Sequence, residues 1–166
     1  ETVKKYEPEF VFHLAAQSLV RNSYENPLDT FDVNVLGTAN MLEALRFSSS
    51  VKVGLIMTSD KCYDNKINHR PHVEDDPMGG IDPYSASKGA AELITSSYND
   101  SFFNAIDDRA AISTIRAGNI LGGGDWAKDR IVPDSINAII KNQNIQIRNP
   151  DSIRPWQYVL EPISGM

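Results

Sequence analysis

The chain has 166 residues, 41% of them hydrophobic, and a formal net charge of −6. That length suits one ordinary domain or part of a larger one, and the balance of apolar and charged residues excludes a disordered or low-complexity polypeptide. No apolar run approaches the roughly 18 residues a membrane helix needs, no basic stripe marks a nucleic-acid partner, and a single cysteine excludes an internal disulfide and fits a reducing compartment.

Phe10-Val11-Phe12-His13-Leu14-Ala15-Ala16 reads as a strand running into a turn of small residues. Its unbroken apolar run predicts a parallel strand covered on both faces. The small residues allow a ligand close to the backbone, although an ordinary core strand and turn would look the same. His13 is expected to pack at the strand end. His69 and His72 lack a matching Cys or carboxylate spacing, so no metal site is expected. Asn26 and Pro27 predict a helix start, with Asn26 as cap and Pro27 in the first turn. Leu28, Phe31, Val35, Leu42 and Leu45 recur at helical spacing and predict one core-facing stripe. Asn34, Gly37 and Thr38 within it are read as structural, their small size letting the helix approach a sheet.

Val51–Met57 predicts the next strand, and it delivers Thr58-Ser59-Asp60-Lys61 at its end. In open α/β sheets ligands bind beyond the carboxyl ends of strands. The loop from Cys62 to Asp82 is long for a compact domain, hence functional or mobile. Its Glu74-Asp75-Asp76 triplet reads as solvated surface, and Cys62 as a structural thiol rather than a nucleophile. Pro83-Tyr84-Ser85-Ala86-Ser87-Lys88 then opens a helix. Tyr84 and Lys88, four apart, share one face. An ammonium beside a phenol favours the phenolate, which suits Tyr84 to base work near neutral pH, with Ser59 sharing the proton. Ala90, Ala91, Leu93, Ile94 and Tyr98 form the predicted packing face.

Ala110–Ile115 predicts a further strand, leading into Arg116-Ala117-Gly118-Asn119. Gly122-Gly123-Gly124-Asp125-Trp126-Ala127 formally fits a dinucleotide fingerprint, but a true one opens a helix directly after the first strand. Here Lys128–Pro133 intervene, so a flexible substrate loop is predicted instead. A helix is expected from Pro133 or Asp134 to about Lys141, with Ile136, Ile139 and Ile140 as its apolar face. Gln143–Arg148 and Arg154–Val159 are short strand candidates. Arg116, Arg130 and Arg154 leave strand or loop ends, where forked guanidinium donors suit phosphate oxygens. Surface arginines of an acidic protein would show the same pattern.

Tyr-x-x-x-Lys alone is a weak signal. Its full setting is more specific: strand, Thr58-Ser59-Asp60-Lys61-Cys62-Tyr63-Asp64-Asn65, loop with Asp76-Pro77-Met78-Gly79-Gly80, then the Tyr84 helix. With Arg116-Ala117-Gly118-Asn119, Gly122–Trp126 and Ile153-Arg154-Pro155-Trp156-Gln157, nearly the whole chain resembles the extended short-chain dehydrogenase/reductase family of nucleotide-sugar epimerases and dehydratases.

The resemblance implies an α/β fold, a doubly wound, Rossmann-like parallel sheet present in part. Residues 1–117 would be the C-terminal part of an NAD-binding domain, and 118–166 part of a nucleotide-sugar-binding region. The family's first strands and glycine-rich turn would lie upstream of Glu1, so the chain is expected to be the middle of a longer protein and inactive alone. It implies NAD as cofactor, touched by Leu14, Ala15, Ala16, Gln17, Ser18, Tyr84, Lys88 and Asn119. It implies a nucleotide-sugar substrate near Ser18, Ser59, Arg116, Asn119, Arg130, Ile131 and Arg154, with Ile145 to Ile147 near the base. Catalysis would fall to Tyr84, Lys88, Ser59, Asp60 and Lys61.

In the reaction so implied, C4 is oxidised transiently, water leaves across C5 and C6, and C6 is reduced. Tyr84 takes the C4 hydroxyl proton, Lys88 keeps the phenolate poised, Ser59 binds the reacting oxygen and Asp60 protonates the departing C6 hydroxyl. Family members acting on dTDP-glucose carry Asp-Glu where this chain has Asp60-Lys61, and a lysine there points to CDP-glucose. Another NAD-dependent nucleotide-sugar epimerase or dehydratase of the same family and a non-catalytic nucleotide-sugar-binding module are the alternatives. Cytoplasmic location, a homodimer or larger homo-oligomer, and a place in lipopolysaccharide O-antigen sugar supply are further implications; no nucleic-acid or membrane partner is expected.

Overall fold

The computed structural model describes residues 1–64, 70–104 and 109–166, so Asn65 and His69 lie outside the described residues. The chain divides into two compact units, Glu1–Ala117 and Gly118–Met166.

The first unit is built on a parallel three-stranded sheet in the order β1 (Phe10–His13), β2 (Val53–Met57), β3 (Ala111–Ile115). Phe10 pairs with Val53 and Val53 with Ala111, so His13, Ile56 and Thr114 fall at matching levels near the carboxyl ends. A short α1 (Thr2–Tyr6) precedes β1. Between β1 and β2 run α2 (Val20–Glu25), α3 (Pro27–Phe31), a π-helical turn (Asp32–Leu36) and α4 (Gly37–Arg46). Between β2 and β3 run a 3₁₀ turn (Asp60–Cys62), α5 (Pro83–Tyr98) and a second π-helical turn (Asn99–Phe103). Parallel strands require such crossovers, and helices supply them. Leu42, Leu45, Val51, Ile56, Phe103, Ala110 and Ile112 make the buried core, with Ile94 and Tyr98 of α5 against it.

Several expectations change here. Along β1 side chains alternate between faces: His13 is buried, but Phe10 and Phe12 are exposed, so burial on both faces does not hold for this strand. The predicted single stripe splits at the π-helical turn. Leu42 is 0% exposed whereas Leu28 is 83% exposed, with Phe31 and Leu36 also open to solvent. On α5, Leu93 faces out and Glu92 faces in. Asn26 stands at the cap position of α3 without a capping hydrogen bond; its amide donates to Asn22 Oδ1 instead.

The second unit pairs β4 (Asn119–Leu121) with β5 (Trp156–Tyr158) in parallel, with α6 (Ile131–Ile140) between them and α7 (Leu160–Gly165) after. Helix α6 starts earlier than expected, and Ile139 and Ile140 are exposed rather than packed. Gln143–Arg148 forms no strand. The glycine run follows β4 as a turn and opens no helix, in line with rejecting the fingerprint. No helix among the described residues is long and apolar enough to cross a membrane.

Candidate active site

The carboxyl ends of β1 and β2 and the first turns of α5 carry the chemistry-bearing residues of the first unit. At the end of β1 the turn Leu14–Ser18 leaves Leu14, Ala15 and Ser18 exposed. Gln17 is used to build this turn. Its amide donates to Thr30 Oγ1 (2.8 Å) and Leu19 O (3.2 Å), and its carbonyl accepts from Leu19 N–H (2.6 Å). Asn34 clamps the Gln17 backbone from both sides, accepting its N–H at 2.8 Å and donating to its carbonyl at 3.0 Å. The same Asn34 amide donates to Ser87 Oγ at 2.9 Å, so one buried side chain joins the β1 turn to α5.

Helix α5 begins where Asp82 caps it, accepting from Ser85 N–H (3.0 Å) and Ser85 Oγ (2.6 Å). A carboxylate there also meets the positive end of the helix. The Tyr84 N–H donates to Ser23 Oγ at 3.1 Å, which pins the helix start to α2. Tyr84 and Lys88 are both buried. Lys88 Nζ donates to Met57 O at 3.1 Å, so the ammonium sits at the end of β2. Burial lowers its pKa, since the charged form loses hydration. His13, at the same level of the sheet, is also lowered, first by burial and then by the Lys88 charge; its Nε2 lies 3.4 Å from Thr38 Oγ1.

Ser59 is the cap of the 3₁₀ turn and accepts from Lys61 N–H at 3.2 Å. Its hydroxyl donates to Asp60 Oδ1 at 3.1 Å, and Lys61 Nζ donates to the same oxygen at 3.1 Å. Asp60 and Lys61 are thus an ion pair, each side chain about one-third exposed (33% and 31%). The Asp60 N–H is anchored on Ala117 O at 3.0 Å, which fixes the turn against the end of β3.

The long loop is tied down along its described part. Tyr63 bridges to Met78, Asp64 N–H donates to Pro77 O, and the Tyr63 ring stacks on His72 at 4.5 Å between centroids. Asp76, expected to be solvated, is buried: Arg70 holds it at 2.5 Å and 2.9 Å, and His72 Nδ1 lies 3.0 Å away. The Arg70 hydrogen bonds hold its carboxyl far below the usual range. Cys62 is fully buried, and burial, then the Glu92 charge, pushes its thiol up to about 11, so it is inert as a nucleophile. No group of His, Cys, Asp and Glu suited to a metal occurs among the described residues.

Arg116 points inward, not to an open anion site. Its Nη2 donates to Glu92 Oε2 at 2.8 Å, and its Nη1 to Tyr63 Oη at 2.9 Å and Glu74 O at 2.8 Å. Glu92 and Ser23 escaped the sequence reading, and Asn34 reads there only as a structural residue of its helix. The only signal for Glu92 was its position four residues after Lys88, on the same helix face.

In the second unit Arg130 pairs with Asp125 at 2.6 Å, and Arg154 is exposed, donating to Ile153 O. Ile131 opens α6. Asn119 starts β4, its N–H donating to Pro155 O at 3.1 Å, while its Oδ1 is buried without a partner among the described residues.

The site is thus a parallel α/β sheet with Ser59-Asp60-Lys61 at the end of β2, beside a helix that carries Tyr84 and Lys88 one turn apart. The chain belongs to the GDP-mannose 4,6 dehydratase family, whose model matches residues 1–166. This bears out the resemblance to the extended short-chain dehydrogenases/reductases. It is 50% identical to the CDP-glucose 4,6-dehydratase of Salmonella typhimurium over 99% of this chain and 46% of that protein. It is 31% identical to a putative UDP-glucose 4-epimerase of Methanocaldococcus jannaschii over 96% of this chain and 51% of that one. The chain therefore spans about half the length of these curated relatives. Among solved structures, the UDP-glucose 4-epimerase of Thermotoga maritima superposes with TM-score 0.85 at 21% identity, covering 98% of this chain and 52% of that one. The dTDP-glucose 4,6-dehydratase DesIV of Streptomyces venezuelae gives 0.83 at 20%, covering 95% and 46%. These two share the fold.

Proposed function

We propose that the protein carrying this chain converts CDP-D-glucose to CDP-4-keto-6-deoxy-D-glucose as an NAD-dependent 4,6-dehydratase. The observation that carries the reading is the seating of the Tyr84–Lys88 helix on the end of β2, beside the Ser59-Asp60-Lys61 turn. The half-identical Salmonella protein supports the substrate.

The residues fit a nicotinamide dinucleotide. The β1 turn offers exposed residues at Leu14, Ala15 and Ser18 with Ala16 half-buried between them, and Gln17, its side chain and backbone engaged by Thr30, Leu19 and Asn34, would hold this turn in shape for the cofactor. An ammonium has three N–H donors and Met57 O takes one from Lys88, which leaves donors for a ribose diol. Tyr84 in the first unit and Asn119 in the second, whose Oδ1 is buried without a partner among the described residues, are the other proposed cofactor residues. NAD would accept hydrogen from C4 and return it to C6.

The chain's own groups handle the protons. Tyr84 takes the C4 hydroxyl proton, favoured by the Lys88 charge, and Ser59 donates to the C4 oxygen. Elimination needs an acid for the C6 hydroxyl and a base for C5–H. Moving one proton within the Asp60–Lys61 pair creates both, a carboxylic acid and a neutral amine. Elimination then restores the ion pair. Ser18, Ser59, Arg116, Asn119, Arg130, Ile131 and Arg154 remain the proposed substrate residues, with Arg116 acting through the groups it holds. The open apolar face of α3 and the π-helical turn, Leu28, Phe31, Val35 and Leu36, serves self-association into a dimer. The location proposed is the cytoplasm, and the product supplies lipopolysaccharide O-antigen sugars.

The test is to give the full-length protein CDP-glucose, dTDP-glucose and UDP-glucose with NAD⁺ and read product mass. Loss of one water from CDP-glucose is expected. Loss only from another nucleotide sugar overturns the base assignment, and an unchanged mass with altered configuration makes the protein an epimerase.

A further inference from the structure

Beyond the groups that move protons, we propose that Glu92 and Arg116 form a positioning pair that sets the Ser59–Lys61 turn against the Tyr84–Lys88 helix. The inference rests on the dehydratase reading above.

Glu92 lies one helical turn beyond Lys88 on α5, and its side chain is buried. Both carboxylate oxygens are in use. Oε1 accepts from the Thr58 hydroxyl, and Oε2 accepts from Thr114 Oγ1 at 2.9 Å and Arg116 Nη2 at 2.8 Å. Thr58 directly precedes Ser59. Tyr63, which accepts from Arg116 Nη1 at 2.9 Å, directly follows the 3₁₀ turn. The pair therefore grips the segment bearing Ser59, Asp60 and Lys61 at both ends and refers it to α5.

The other ties do less. Thr58 N–H to Ile115 O (2.9 Å) and Asp60 N–H to Ala117 O (3.0 Å) join this segment to the β3 side of the sheet, not to the helix. Lys88 Nζ to Met57 O joins it to the helix, but uses a group that serves the reaction. Glu92 keeps the same spacing with a side chain that takes no part in it. Burial raises the Glu92 carboxyl, and the hydrogen bonds from Arg116, Thr58 and Thr114 outweigh this and leave it below its ordinary value, so the pair stays charged. A buried ion pair contributes little net stability compared with a well-packed apolar replacement. Geometry is the gain here: a displacement of about 1 Å at reacting groups lowers turnover roughly a hundredfold.

The experiment compares wild type, Glu92→Gln, Thr58→Val and Thr58→Ser in the full-length protein with CDP-glucose. Glu92→Gln removes the charge and keeps the size. Thr58→Val removes the hydroxyl that Glu92 holds, which also lies 3.1 Å from Ile115 O, while the Thr58 N–H keeps its own bond to that carbonyl, and Thr58→Ser restores the hydroxyl. Expected for Glu92→Gln and Thr58→Val is a kcat fall of roughly 10- to 100-fold with KM within about threefold, and for Thr58→Ser a kcat near wild type. If Glu92→Gln does not fold, the Thr58 pair decides. Unchanged kcat in Thr58→Val, even with a lower Tm, overturns the positioning role and leaves the dehydratase reading intact. A wild type that dehydrates no nucleotide sugar overturns both.

Discussion

Asn34 Nδ2 and Ser87 Oγ lie 2.9 Å apart across 53 residues of sequence, and both side chains are buried. Asn34 also holds both backbone groups of Gln17, while Ser87 Oγ donates to Tyr84 O at 2.7 Å. The turn proposed for the cofactor and the helix proposed for catalysis are thus one hydrogen-bonded unit. Replacing Asn34 by Leu leaves the Gln17 N–H and C=O unpaired. A loss of about 1–3 kcal/mol in urea unfolding is expected, together with weaker NAD binding by calorimetry. An unchanged urea midpoint would contradict this account of the turn.

Tyr84→Phe in the full-length protein removes the proposed proton acceptor but none of the backbone bonds that place the helix. Turnover of CDP-glucose should fall by about 10²–10⁴-fold, with the circular dichroism spectrum unchanged. Lys61→Met should leave the mass of CDP-glucose unaltered, because no base then remains for C5. A Lys61→Met enzyme that still releases water would remove Lys61 from the mechanism.

Cys62 gives a pH signature. Its thiol titrates at about 11 in the folded chain against 9.0 ordinarily. Between these values the unfolded chain has lost a proton that the folded chain keeps. The stabilisation is therefore complete below pH 9 and is lost as pH rises toward 11, on the order of 2–3 kcal/mol in all. Thiolate absorbance near 240 nm should appear late in the native protein and about two pH units earlier in urea. Cys62→Ala should lose less stability over this range than wild type.

Gly80 has φ +141°, and a Cβ there would sit 2.4 Å from Ala86 N and 2.5 Å from Ser85 C. Gly80→Ala must push the first turn of α5 away from the loop. A stability loss of at least about 1–3 kcal/mol is expected, with reduced kcat because Tyr84 rides on that turn. Thermal unfolding and turnover measured together would show both; wild-type values for each would mean that the loop yields instead.

Leu28→Glu places a charge on the exposed apolar face of α3. Sedimentation should show the full-length protein shift from dimer to monomer, with the first unit still folded. A wild type that is already monomeric would set the self-association proposal aside.

The strand–helix order, the parallel sheet and the strand-end turn at Ser59 could be read from sequence, because apolar runs and turn residues mark them directly. The split stripe could not. Residues Leu28 through Leu45 keep one helical period, but the π-helical turn at Asp32–Leu36 inserts an extra residue per turn. That rotates everything before it by about 100° relative to α4, carrying Leu28 outward while Leu42 stays in the core. Nothing in the period announces such an insertion. Glu92 was missed for a related reason: a carboxylate on a helix reads as solvent-facing until its partners Thr58, Thr114 and Arg116 are brought in from distant strands. Arg116, expected to meet phosphate, is instead turned inward by that same carboxylate.

The order of events in folding follows from the sheet register. Phe10 pairs with Val53, and Val53 with Ala111, so neither pairing is local. Contacts of this kind form only after long segments have been closed into loops, and they slow folding. Helices α4 and α5 can form early from neighbouring residues. The Asp60 turn, by contrast, is anchored on Ala117 and its Thr58 lead-in on Ile115. During synthesis the Asp60 turn therefore lacks its backbone anchors on the β3 side until the ribosome has passed residue 117, and it is among the last elements to acquire its final shape.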